Sequence, residues 1–482
     1  MIHFALLICN GYTDYNSETF EVYRRFSVPR KVEAQQLPKQ GMYCRYNPFN
    51  PFSTMKRTSR LFVVAVTLIT FTYAFPTAHA QGVMLRGAGA VNEAVGGTAT
   101  AMPLDASGAI LWNPASISAL PKNEMTLGLG LIQSQSRVES SVTHTSGKLP
   151  GSTKGEAGVV PVPSMGFVWS TSRRSPFTYG IGLAGVGGAA SLYPQKPLLE
   201  PEGNPVLSDF GRSANVVVLQ MTPTVSAQLT ERLSVGVAPI IDLASLNLNP
   251  MSLNRPYEEP LLTYGTKYVW GGGFQIGALY DFQNHFKAGF MYKSPIWAEK
   301  LYFTGTYKDT VADDLVPGVA NFQLNLPMTL SAGVSYNGFR DTVIGMDVRY
   351  FDYAHTAGFN KGINSTTDVV EGLDWESVFS INVGLERRIN SRLKGRMGYC
   401  WNENPIPSRS AALAISAPMM TQHVLSFGFG YSFAKDLELS ATYCHAFEAK
   451  LSGDLPKQSP LPGTVTNVMS ADSFVAGLTK RW

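Results

Sequence analysis

Long hydrophobic runs are missing from this chain. None of its 482 residues belongs to an apolar stretch of 18 or more, which excludes a stable transmembrane helix. Charge is also sparse, with Asp, Glu, Lys and Arg at 15%. The mean hydropathy is near zero, so the composition matches neither a helical membrane protein nor a disordered chain. Catalytic signatures are absent: there is no G-x-S-x-G, no H-E-x-x-H and no paired acidic motif. Cysteine is scarce, four in all.

One short apolar run does stand out, Leu61 to Phe75. Met55-Lys56-Arg57-Thr58-Ser59-Arg60 precedes it as a basic region, and Ala78-His79-Ala80 follows as an A-x-A cleavage site. Residues 55–80 therefore read as a secretory signal peptide. Met55 is the expected start, and residues 1–54 are expected to be upstream sequence that does not belong to the native protein. Mass spectrometry of the membrane-extracted protein checks this, and a mature chain carrying any of residues 1–54 would refute it. Nine of the 39 basic and four of the 35 acidic residues lie in residues 1–80, leaving 30 against 31. The basic balance belongs to the leader, so a nucleic-acid partner has no support.

From Asn123 to Trp482 the chain falls into about fourteen segments of alternating apolar and polar residues. The connections alternate as well. Short ones lie at 172–175, 230–232, 283–285, 337–339, 390–392 and 434–436. Long ones lie near 139–157, 192–212, 249–261, 308–318, 355–375, 402–420 and 449–467. A soluble sandwich has no reason to gather every long loop at one end, whereas a transmembrane up-and-down barrel does. In Leu425, Phe427, Phe429, Tyr431 and Phe433 one face is apolar, while Ser426, Gly428, Gly430 and Ser432 form the other. Outward aromatics such as Phe290, Tyr292, Tyr399 and Trp401 then face lipid. The expected fold is all-β: a transmembrane antiparallel barrel of about 14 strands over 123–482. Residues 81–122, rich in Gly and Ala and without period-2 alternation, form a plug inside its lumen. In hydrocarbon an open sheet edge costs several kcal/mol per unpaired group, so the last strand must pair with the first. That last strand ends on Trp482, an aromatic terminus like the assembly signal of bacterial outer-membrane proteins. The barrel assembly machinery is accordingly an expected partner through the C-terminal strand, alongside outer-membrane lipid. A monomer is expected.

Cys9 and Cys44 belong to the leader. Cys400 and Cys444 fall on the eleventh and thirteenth strands with one strand between them, about 9–10 Å apart by strand spacing. That is too far for a disulfide, and they show no metal-ligand spacing. No metal and no cofactor is expected. Gly180, Gly182 and Gly185 match a dinucleotide-type G-x-G-x-x-G, but that motif needs a following helix. Here Gly187 and Gly188 continue a strand-like run, which reads as a weakened strand with a bulge or kink. The histidines (144, 285, 355, 423, 445) are scattered. The lumen-side charges Lys287, Lys293, Asp347, Arg349, Glu386, Arg388, Lys394, Arg396 and Glu438 form a mixed-sign belt. They pair with one another and with the plug, or a subset such as Arg349, Arg388 and Arg396 meets an anionic head group.

The stretch from Gly96-Gly97-Thr98 through Asp105-Ala-Ser-Gly108 to Asn113-Pro114-Ala115 resembles the N-terminal hatch of the FadL-type transporters of long-chain fatty acids and hydrocarbons. Further matching stretches, among them Gln220-Met-Thr-Pro223, Met291-Tyr-Lys-Ser294, Asp347-Val-Arg-Tyr350 and Asn404-Pro-Ile-Pro407, extend the resemblance over about 82–482. It implies a fourteen-stranded barrel closed by a hatch in the bacterial outer membrane. It also implies passive uptake of a hydrophobic small molecule, with Asp105, Gly108, Asn113, Pro114 and Ala115 in the moving hatch. A kinked third strand would open the wall sideways, which assigns that opening to Gly180, Gly182, Gly185, Gly187 and Gly188. Ile110-Leu111-Trp112 makes this hatch more apolar than the pattern, and the loop at 249–261 is short for the family. Two alternatives remain: a barrel-type lipid enzyme, which needs a Ser/His/Asp set at one rim, and a structural or adhesive barrel, which predicts a polar plug without an apolar cavity.

Overall fold

Fourteen antiparallel strands are each hydrogen-bonded to the next in sequence, and the last is bonded to the first. The computed structural model describes residues 81–172, 175–194, 203–207, 212–249, 262–263, 265–309, 314–364, 370–457 and 462–482. The expected leader lies outside the described residues. The strands are β1 Glu124–His144, β2 Val159–Trp169, β3 Phe177–Tyr193, β4 Arg212–Gln228, β5 Leu233–Asn249, β6 Lys267–Asp281 and β7 Phe286–Lys293. Then come β8 Thr329–Phe339, β9 Thr342–Phe351, β10 Val378–Arg388, β11 Leu393–Asn402, β12 His423–Ala434, β13 Leu437–Asp454 and β14 Gly463–Arg481. The seam is long: β1 and β14 pair from Glu124↔Arg481 to Val142↔Gly463. Closure on this scale leaves no lipid-exposed sheet edge at the seam, as the membrane requires.

Alternation fixes the faces. Phe427, Phe429, Tyr431 and Phe433 on β12 are exposed and Ser426 is fully buried. Asp347 and Arg349 on β9 are buried while Val348 between them is exposed. At the short-turn end Phe167 stacks on Trp482, with ring centroids 5.7 Å apart, and Trp169 stacks on Tyr179. These rings begin an interfacial girdle.

Most connections sit where the alternation places them, with three differences. The turn expected at 337–339 is at Arg340–Asp341, because β8 runs on to Phe339. Asp341 takes the positive φ of that turn (57°), a conformation Asp tolerates. The expected loop 449–467 shrinks to 455–462, because β13 and β14 extend past the lipid-facing band as one ladder. The long connections also carry strands of their own. Residues 147–154 fold back on β1, and 301–309 pair with 314–322 and with 262–263. Residues 250–261, the proline-bearing loop, are outside the described residues.

Residues 81–120 occupy the lumen. Helix α1, Gly89–Ala94, packs toward β11–β14 and β1. Helix α2, Ala106–Trp112, packs on β2 and β3. A 3₁₀ turn, Pro114–Ala119, lies against β4, β5 and β6. The composition that denied this segment a strand periodicity suits it to the lumen, since small residues let short helices approach the wall closely. Ala94, Ala106, Ala109 and Ala115 have no exposed surface. Ile110 and Ile117 are buried against Val168, each worth about 1.5–3 kcal/mol. Cys400 and Cys444 are both buried and free, on β11 and β13 with β12 between them.

Candidate functional site: an interior segment facing a break in the wall

The interior segment is held by side chains that replace solvent for its backbone. Asp105 caps α2 by accepting from the Gly108 N–H (3.3 Å), and Glu124 of β1 accepts from the Ala106 N–H (2.8 Å). Such caps satisfy helix donors that water cannot reach. α2 stops at Asn113 because the next residue is Pro114. The Asn113 amide donates to Thr100 O (2.7 Å) and Ala278 O (3.0 Å), and its oxygen accepts from the Ala115 N–H (3.0 Å). Ala115 O accepts from Ser226 on β4 (3.1 Å). Asn113 and Pro114 lie so close to Gly277 and Gly236 that a Cβ at either glycine would overlap them. The Asn-Pro-Ala stretch is thus keyed to two gaps in the wall that period-2 reading does not single out.

A second anchor stands on β9. Asp347 accepts from the backbone N–H groups of Ala99 (2.9 Å) and Thr100 (3.1 Å). Arg349 donates to Arg86 O, to Gly97 O and to Asp347, and its guanidinium lies 3.3 Å from the centroid of the Trp112 ring. Gly97 takes a positive φ (82°), and a Cβ there would meet Arg86 O, so this turn admits only glycine. Trp112 is the side of α2 that these cations clamp: Lys293 on β7 lies 5.8 Å from the same ring.

The third-strand glycines divide into two groups. Gly180 and Gly182 remain paired with Val168 and Gly166 of β2, and their missing side chains make room for Ile110. Above them β2 and β3 part. Their last rung is Ser164↔Ala184, and the strands meet again only where Glu156 N–H donates to Leu192 O (2.7 Å). Between these points Val159–Pro163 pair with β1 alone. Gly185, Gly187 and Gly188 pair with β4 and not with β2, across a bulge at Val186. The interior segment covers the freed edge of β3: Leu85 N–H donates to Val186 O (2.8 Å) and Gly188 N–H donates to Val83 O (3.2 Å). Upstream of this, Gln81 O accepts from Tyr353 Oη (2.9 Å), and Gly82 lies beneath the Tyr353 and Trp375 rings.

A cavity of about 290 Å³ lies behind this break. Val160, Pro163, Gly187, Leu219, Met419 and Met469 give it a largely apolar lining. Its polar wall includes Arg86, Asn402, Cys444 and Asp472. Arg86 is paired with Glu93 at 2.7 Å. The three arginines considered for head-group binding stand apart from the cavity. Arg349 is spent on the interior segment, and Arg396 bridges Glu386 (2.7 Å) and Glu438 (2.6 Å). Arg388 is exposed at the short-turn end of β10. The mixed-sign belt therefore reads as pairing. Arg86, Met419 and Met469 carry no motif that a single sequence would flag. The pair Pro161 and Pro163, two prolines inside a strand, is a signal that could have marked the break.

The family model described as outer membrane protein transport protein (OMPP1/FadL/TodX) matches residues 69–479. Among solved structures, the Pseudomonas putida toluene transporter TodX is 18% identical with a TM-score of 0.63, covering 83% of this chain and 99% of that one. A Pseudomonas aeruginosa FadL homologue is 14% identical with a TM-score of 0.65, and the shares covered are again 83% and 99%. The Ralstonia pickettii toluene transporter TbuX is 16% identical with a TM-score of 0.58, over 83% and 99%. None of the curated proteins matches.

Proposed function

The chain belongs to the OMPP1/FadL/TodX family of outer-membrane transport proteins, and from that premise we propose that it passes uncharged hydrophobic molecules of monoaromatic size by passive, hatch-gated lateral exit. The observation that carries this reading is the cavity behind the break between β2 and β3, with its only lining cation already neutralised by Glu93 among the described residues. A carboxylate would have to displace Glu93 from Arg86. Removing a buried charge from its partner costs about 3–5 kcal/mol, which favours a cargo without charge. Size points the same way. An apolar cavity of about 150 Å³ already accepts benzene, so this one has room for a substituted ring. The solved relatives described as toluene transporters fit this choice.

In this reading the segment Gln81–Arg86 is the door. It detaches from Val186 and Gly188, and cargo leaves through the break into the bilayer without crossing water. An apolar cavity argues against a purely structural barrel. None of the described histidines lines the cavity, which supports transport over a barrel-type lipid enzyme.

The test is uptake by cells expressing the protein, with labelled toluene and labelled palmitate. Toluene should enter at least about tenfold faster than palmitate, a difference of ~1.4 kcal/mol in barrier. Replacing Glu93 by Ala frees Arg86 and should narrow that ratio. Equal uptake of the two by the native protein would overturn the uncharged-cargo reading.

A further inference from the structure

We propose that Pro161 and Pro163 hold the wall break open, by removing the two backbone donors that would let β2 zip onto β3. The argument begins with which way the β2 amides point. In an antiparallel strand, successive residues direct their N–H and C=O groups to opposite sides. Val159–Pro163 pair with β1, in the register Leu131↔Pro161, Gly130↔Val162 and Leu129↔Pro163. Proline has no N–H to give. The ladder to β1 is complete only when Val160 and Val162 supply its donors, which turns the nitrogens of Pro161 and Pro163 toward the break.

The register on the other side completes the case. Rungs from Trp169↔Tyr179 to Ser164↔Ala184 extend to Pro163↔Gly185 and, across the bulge at Val186, to Pro161↔Gly188. At both rungs a missing donor on β2 faces a glycine on β3. Glycine weakens a strand and proline is tolerated in sheets only at edges and bulges, so both sides of the break resist pairing at the same two levels. An unpaired edge in lipid is otherwise a strong template for closure, because each unsatisfied group costs several kcal/mol. Proline lowers that penalty on β2 by having no amide to satisfy. On β3 the penalty is met by Val83 and Leu85 of the interior segment. The consequence is a division of roles. The prolines keep the wall from healing, and the interior segment is the removable cover.

This inference rests on the lateral-exit reading for its purpose but not for its test. In the P161A/P163A double variant, inserted in the membrane, hydrogen exchange of the two new amides is followed together with toluene uptake. The proposal expects both amides to be protected by pairing with β3, and uptake to fall about tenfold. Protected amides with native uptake would uphold the role of the prolines and refute lateral exit. Freely exchanging amides would overturn the proposal, whatever the uptake. Should the double variant fail to assemble, P163A alone carries the same measurement at the rung next to Ser164.

Discussion

Replacing Gly187 and Gly188 together by valine should lower toluene uptake by at least about tenfold, ~1.4 kcal/mol on the barrier, while the barrel still assembles. The two glycines are at the middle of the break and line the cavity. Because they are consecutive in a strand, their side chains would point to opposite faces, so one valine obstructs the lumen side and the other the outside. A Cβ at Gly187 would lie 3.2 Å from Val83 O, and one at Gly188 would lie 3.1 Å from Val216 O. These are tight but not impossible distances, and valine favours a strand. The rungs Gly187↔Val218 and Gly188↔Val217 to β4 can persist. Assembly is read from heat-modifiable migration of the extracted protein. Native uptake by an assembled variant would refute exit at this position. A G180V variant is a different case, since its Cβ would lie 3.3 Å from Ile110. Its effect should fall on seating of α2 rather than on the break.

The ring itself was legible in the sequence because its determinants are local. Alternation tells inside from outside, and turn residues mark the short connections. What stayed hidden is what depends on partners far along the chain. Asp347 serves Ala99 and Thr100 from 248 and 247 residues away. Nothing near Asp347 distinguishes an anchor of the interior segment from one more lumen charge. For the same reason Arg349 and Arg396 could be read as head-group ligands, since a lumen-side arginine looks alike whether it meets a ligand, a carboxylate or a carbonyl. The loops were misjudged for another reason. Strand pairing continues past the lipid band in β1, β13 and β14, where polar residues such as Gln135 and Glu139 of β1 take the outward positions. Hydrophobic periodicity fades there although the ladder does not. The glycine run on the third strand did announce a kink, but only its pairing in three dimensions separates the two glycines that receive Ile110 from the three that border the cavity.

Removing the Arg349 guanidinium should unseat the interior segment without opening the ring. The R349M variant keeps much of the side-chain length and loses every donor to Arg86 O, Gly97 O and Asp347. It also loses the cation over Trp112, a contact worth about 2 kcal/mol when desolvated. Asp347 would remain buried without its cation, though still bonded to Ala99 and Thr100. Breaking a buried pair in this way costs about 3–5 kcal/mol, and all of that falls on docking of residues 86–112. The barrel rungs Val348↔Ile381 and Arg349↔Ser380 are backbone pairs and survive the change. The expected result is a barrel that migrates as folded but passes small ions in planar bilayers, with an interior segment cut by added protease. R349K should fall between the native protein and R349M, since lysine restores the charge but not the planar fork that reaches three acceptors at once. A variant as ion-tight and protease-resistant as the native protein would show that the Asn113–Pro114–Ala115 wedge against Gly236 and Gly277 holds the interior segment unaided.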